Sequence, residues 1–134
     1  MIEVIETMAP TKYGFAAATV NPKTHRVSLN TDTINLLCTM SGLNEVTHVL
    51  VMRDTENANV MYLKPCEAET PNARTLSRTP KGKGRFFDAR KAMERVGWKL
   101  SHSITIKAGK DKSGSMIVLD KRKVAKTLHF KDVK

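Results

Sequence analysis

The sequence predicts a small α+β domain made of two helix-plus-β-hairpin units, packed about a pseudo-twofold axis with mainly antiparallel strands. Three observations carry this expectation. Each half holds a short apolar stripe at helical spacing that ends at a glycine, and in each half two β-rich runs follow it. A gap-free shift of 55 residues then lays one half on the other: Gly42 falls on Gly97, Val49 on Ile104, Val51 on Ile106, Met61 on Met116, Tyr62 on Ile117 and Leu63 on Val118. Such self-similarity predicts an internal repeat. With 134 residues, 40% of them hydrophobic, the chain is long enough for one shared core.

The first unit spans residues 1–66. Pro10, Gly14 and Pro22 break the opening stretch, which predicts no clear element. Arg26-Val-Ser-Leu29 alternates polar and apolar and predicts a strand. Asn30, Thr31 and Asp32 offer capping oxygens and a first-turn negative charge, and Ile34, Leu37 and Cys38 form one helical stripe. Gly42 ends that helix. Val46 to Met52 is β-rich, residues 54–59 are polar turn material, and Val60 to Leu63 returns as a strand stopped by Pro65.

Residues 67–85 predict a basic arm or long loop. Between Pro71 and Arg85 lie Arg74, Arg78, Lys81, Lys83 and Arg85, two prolines, two glycines and no acid. Proline and glycine at that density argue against a long helix or a central strand. The second unit, 86–134, opens on a helix with Phe86, Ala89, Ala92, Met93 and Val96 on one side and Lys91, Glu94 and Arg95 on the other, closed by Gly97. Trp98 locks the helix end into the core. Ser103 to Lys107 is a strand, Gly109 to Gly114 a turn, Met116 to Leu119 a strand, and a basic tail follows with Lys121, Arg122, Lys123, Lys126, Lys131 and Lys134.

Charge points to a partner. The formal net charge is +10, and it is uneven: residues 1–66 hold 5 bases and 6 acids, whereas residues 67–134 hold 18 bases and 7 acids. A pool of positive charge in one half is the footprint of a protein that binds a polyanion. The expected contacts are Arg74, Arg78, Lys81, Lys83 and Arg85 of the arm, Arg90, Lys91 and Arg95 of the second helix, Lys107, Lys110 and Lys112 around the second hairpin, and Lys121, Arg122 and Lys123 beyond it. Aromatics make up only 5% of the chain, which favours backbone-led contact with a duplex over base stacking. Phe87 is the single stacking candidate.

Residues 26–65, from Arg26-Val-Ser-Leu-Asn-Thr-Asp-Thr-Ile-Asn-Leu-Leu-Cys38 to the hairpin ending Val60-Met-Tyr-Leu-Lys-Pro65, resemble the swapped-hairpin DNA-binding fold of AbrB-type transition-state regulators and MazE-type antitoxins. Asn30 stands where that family usually has proline, and Asn44-Glu45 where it has a Gly-Asp turn. The resemblance implies a DNA-binding homodimer using bases of the first strand and its flanks, which here are Lys23 and Arg26. The chain is similar also to small uncharacterised phage and bacterial proteins.

Chemistry is less in evidence. His25, His48, His102 and His129 show no HxxxH or HExxH spacing and make no zinc-ligand pattern with Cys38 and Cys66, so no metal is expected. No GxxxxGK[ST], GxGxxG or GxSxG is present, and Asp54, Glu56, Asp88, Glu94, Asp111 and Asp120 form no recognisable catalytic motif. Asp88 and Glu94 are expected to pair with Arg90, Lys91 and Arg95. The expectation is a protein that is not an enzyme and needs no cofactor. No run approaches the ~20 apolar residues of a membrane span, Glu3 and Glu6 with a short apolar run predict no secretory leader, and two thiols outside any CxxC spacing suit the cytoplasm. The reading is therefore a cytoplasmic nucleic-acid-binding protein, DNA before RNA, acting as a phage or bacterial regulator. The alternatives are a small inhibitor or adaptor whose basic half docks on an acidic protein surface, and a structural subunit of a phage particle or ribonucleoprotein.

Overall fold

Asn30 is the joint on which the first unit is built. Its side-chain oxygen accepts from the Thr33 N–H at 3.0 Å, capping α1 (Thr31–Ser41), and from the Ala17 N–H at 3.0 Å, tying that helix to β1 (Ala17–Asn21). Its amide donates to the Phe15 carbonyl at 2.9 Å. One polar side chain thus fills a helix cap and a strand bond together, where the expected family pattern has proline. The structure is a computed structural model that describes residues 15–79 and 84–125.

After β1 come β2 (Arg26–Leu29) and α1, which ends at Gly42 in the left-handed conformation with φ 72°. The hairpin β3 (His48–Asp54) and β4 (Asn57–Cys66) follows. The second half runs β5 (Arg74–Thr75), β6 (Ser77–Arg78), β7 (Arg85–Asp88), α2 (Arg90–Val96), β8 (Ile104–Lys110) and β9 (Ile117–Val124). All pairings are antiparallel, in the order β5-β3-β4-β9-β8-β1-β2-β7-β6. The two ends of this sheet, β5 and β6, are separated in the chain by Leu76 alone. Leu76 donates its N–H to the Thr47 carbonyl at 2.8 Å and buries its side chain, so the sheet curls into a nearly closed barrel.

The barrel interior is filled from alternate strand positions, as the pleat requires: Ala18 and Val20, Val27 and Leu29, Met61 and Leu63, Ile106 and Ala108, Ile117 and Leu119. Phe87, Leu37 of α1, Met93 and Val96 of α2, and Trp98 complete it. Trp98 locks the end of α2 inward as the sequence predicts, its indole N–H donating to the Ala58 carbonyl at 2.7 Å.

Several expectations change. The basic arm is in part a strand: residues 74–78 pair with β3 on one side and β7 on the other, because buried Leu76 outweighs the local proline and glycine signal. Lys81 and Lys83 lie outside the described residues, as do the opening stretch to Gly14 and the tail bases Lys126, Lys131 and Lys134. The second helix begins at Arg90, and the segment from Phe86 belongs to β7 instead. Phe87 faces Val27 across the ladder and is 1% exposed, so it is a core residue and no stacking platform. Pro65 does not stop its strand, since β9 borders β4 only from Val60 to Leu63 and leaves a one-sided ladder there. The turn of the second hairpin starts at Asp111, with Gly109 and Lys110 still in β8. The gap-free 55-residue shift also fails in the strands: it lays buried Met61 and Leu63 on half-buried Met116 and Val118, whereas the buried positions are Ile117 and Leu119.

Barrel closure sets an expected outcome. Leu76→Ala should cost about 2–4 kcal/mol, the usual loss for a buried leucine, and should expose the amides of β5 and β6 to rapid hydrogen exchange. Urea melts and native-state exchange would measure both.

Candidate nucleic-acid interface

The basic surface is shaped by acids bonded to nearby backbone N–H groups. In β8 and β9, the register passes from Ala108–Leu119 to Ile106–Val124, so Lys107 alone stands opposite Asp120, Lys121, Arg122 and Lys123. This wide bulge is clamped by Asp120, which is 7% exposed. Its carboxylate accepts from the Arg122 backbone N–H at 3.0 Å, from Nε at 2.9 Å and from Nη2 at 2.7 Å. The Arg122 guanidinium holds the Asp120 carboxyl below the usual carboxylate range, against the opposing effect of burial, and Asp120 in turn raises Arg122. Bulges bend a strand and re-aim its side chains, and this one leaves Lys123 exposed on the same hollow as Lys107.

Asp111 organises the hairpin turn in the same way. It accepts from the Ser113 hydroxyl at 2.8 Å, the Ser115 N–H at 3.1 Å and the Met116 N–H at 3.2 Å. The Ser113 hydroxyl is the main reason its carboxyl sits below the ordinary value. The turn leaves Lys110 and Lys112 exposed on either side. Together with Lys107 and Lys123, and with Asp111 and Asp120 between them, they line a hollow of about 750 Å³ on the outer face of β4, β9 and β8. Its floor includes Tyr62, Met116 and Val118, with Gly109 beside Val118 leaving open space where another residue would place a Cβ.

A second basic concavity, a groove of about 380 Å³, lies between α2, β3 and the start of β5, where Arg53, Arg74, Lys91 and Arg95 line it. Arg53 Nη1 donates to the Arg95 carbonyl at 3.0 Å, covering an open carbonyl of the last helical turn. Met52 lines the groove, Tyr62 lines the hollow, and the two are register partners across β3 and β4. One ladder pair therefore contributes a residue to each concavity.

The predicted contacts divide accordingly. Arg74, Lys91 and Arg95 gather in the groove, and Lys107, Lys110, Lys112 and Lys123 in the hollow. Lys121 is half-buried on the bulge, and Arg78 and Arg90 are exposed outside both concavities. Arg85 and Arg122 each sit in an ion pair instead of a concavity. Arg85, whose side chain is only 15% exposed, lies 3.5 Å from Glu45, and Arg122 is spent on Asp120. These are the two ion pairs among the described residues. Asp88 caps the Arg90 N–H at 3.0 Å and joins neither, because the helix starts after it. Sequence reasoning missed Arg53 and Tyr62. Tyr62 was legible, since it alternates with inward Met61 and Leu63; Arg53 was not, since its partner lies on a distant helix.

Cys38 and Cys66 are free thiols, and burial pushes the Cys66 thiol up, away from the reactive thiolate. No cluster of three or more His, Cys, Asp or Glu side chains able to hold a metal occurs among the described residues, and none of their helices is long and apolar enough to cross a membrane. Protein-family models, curated proteins and solved structures give no match to the chain.

The Asp120 clamp yields a pH dependence. Its folded-state value lies below the unfolded one, so its stabilisation is complete above about pH 4 and is lost as pH falls through the lower folded value. Asp120→Asn should cost about 1 kcal/mol at pH 7, kept small by the solvent exposure of Arg122. The gap to the native protein should narrow at pH 3, as denaturant melts at the two pH values would reveal.

Proposed function

We propose that this protein binds nucleic acid through its phosphate backbone, DNA in preference to RNA, and acts as a cytoplasmic regulator of phage or bacterial type. One observation carries the reading: two concavities, lined between them by eight bases, each take one residue of the Met52–Tyr62 ladder pair. None of those eight belongs to either ion pair among the described residues. Lysine and arginine arrayed along a strip neutralise successive phosphates and release their counterions. Tyr62, half-buried on the outer face, adds a place for a sugar or base to rest.

The preference for DNA rests on the AbrB/MazE-type resemblance, and the order of elements supports it. With β5 and β6 taken together as the counterpart of β1, exchanging the two units turns the β1–β2 pairing into β6–β7, β3–β4 into β8–β9 and β1–β8 into β5–β3, while β2–β7 and β4–β9 map onto themselves. That pattern favours two copies of one unit about a pseudo-twofold axis, aligned with small insertions in place of a single shift. The homodimer implied by the resemblance belongs to the same proposal.

A second reading, docking on an acidic protein surface, draws on the apolar floor of the hollow formed by Tyr62, Met116 and Val118 inside its ring of lysines. Copurification separates the two, since bound nucleic acid raises the 260/280 absorbance ratio and a protein partner adds a band.

If about six of the eight bases meet phosphates, log affinity should fall against log salt with a slope near −5. Anisotropy titrations with duplex DNA, single-stranded DNA and RNA would measure it, and a slope near zero would reject phosphate contact. Replacing Lys107, Lys110, Lys112 and Lys123 by Ala should reduce that slope by roughly 0.9 for each phosphate left without its base, with the thermal melt lowered only slightly, because all four are exposed and Lys107 gives up its place over the Phe15 ring.

A further inference from the structure

The groove beside α2 differs in kind from the open hairpin face. Arg53, Arg74, Lys91 and Arg95 converge on it from β3, β5 and α2, over an apolar floor that includes Val51 and Val96. Among the described residues, no acid lines it. Lys91 and Arg95 stand four residues apart on one helix, a spacing at which like charges repel. Arg53 adds a third positive charge at the same helix end, where its bond to the Arg95 carbonyl uses only part of its five-donor fork. Arg74 is half-buried, so part of its hydration is already lost.

Four cations held together without a counter-charge repel one another in the free protein, and a bound anion removes that repulsion. A backbone phosphodiester brings one negative charge and continues in both directions. A phosphate monoester brings up to two, with three terminal oxygens that suit the paired donors of guanidinium groups. The volume of about 380 Å³ lies toward the lower end of small-molecule sites, and the floor suits the carbon skeleton next to the phosphate.

We propose that this groove seats a phosphate monoester, gripped by Arg53, Arg74 and Arg95 with Lys91 adding charge. The same chemistry is offered by the 5′-phosphate end of a nucleic-acid strand and by a free nucleotide, and only the first of these rests on the nucleic-acid reading. Either way the groove selects an end group, while the hairpin face follows a backbone.

The test uses the full chain and four probes: one single-stranded oligonucleotide with a 5′-phosphate or a 5′-hydroxyl, and a nucleoside with or without its 5′-monophosphate. The phosphate should raise affinity about tenfold or more within a pair, the factor worth one charge-assisted hydrogen bond. Lys91→Gln and Arg95→Gln, both exposed positions, should each reduce that preference, and the combined variant should abolish it with an unchanged thermal melt. Equal, salt-dependent binding of both oligonucleotides with no binding of the monophosphate would overturn the groove and leave the nucleic-acid reading standing. Binding of the monophosphate without either oligonucleotide would uphold the groove as a nucleotide site, and if duplex DNA is also left unbound it would overturn the nucleic-acid reading. A phosphate preference that survives in the combined variant would reject these residues as the seat.

Discussion

Residues 74–78 serve both edges of one sheet, and the rest of the molecule depends on that double duty. β5 adds to β3 and β6 adds to β7, with Leu76 turned into the interior between them. A sheet that curls until its edges share a strand has no long row of unpaired amides to offer another chain. The same crossing fixes where function can sit. Arg74 reaches the groove because Arg74 pairs with Val49, and β3 brings Arg53 to the same place.

The electrostatic design follows from how the acids are used. Asp54, Asp88, Asp111 and Asp120 each accept a backbone N–H near a turn, a helix start or a bulge. Their negative charge is committed to local geometry, and the bases around them are left to face solvent. Tight clamping matters most at Asp120, where one carboxylate shapes the bulge that carries Lys121 and Lys123.

Much of the fold was legible where local signals agree with burial. The Asn30 cap, the stripe around Leu37, the glycines closing both helices and the alternation of Ile104 and Ile106 all mark real elements, because short-range chemistry fixes them. The failures share a cause in contacts distant along the chain. Leu76 sits among prolines and glycines that signal a loop, and only its pairing with two remote strands makes it core. Phe87 falls off a helical stripe because its period is that of a strand, set by β2 opposite. Of the candidate site, the cations themselves were readable from charge counting. Their division into a groove and a hollow was not, nor was the pairing of Arg85 with Glu45 and of Arg122 with Asp120, since each depends on local geometry that charge counting does not see.

The pairing of β1 with β8, which sets Ala17 opposite Lys107, joins residues from near the two ends of the described chain. Together with the β3–β5 and β2–β7 ladders, it gives the protein a high contact order, the property that slows folding most strongly among small domains. Emerging from a ribosome, the first half holds a hairpin and a helix but cannot complete its sheet until the second half arrives. During that interval the edges of β1 and β3 and the apolar faces of Val20, Val27 and Val49 stand open to other chains. The closure that shields the finished molecule thus waits for strands of the second half, and a chaperone that holds nascent hairpins apart would have its greatest effect on this half-made state.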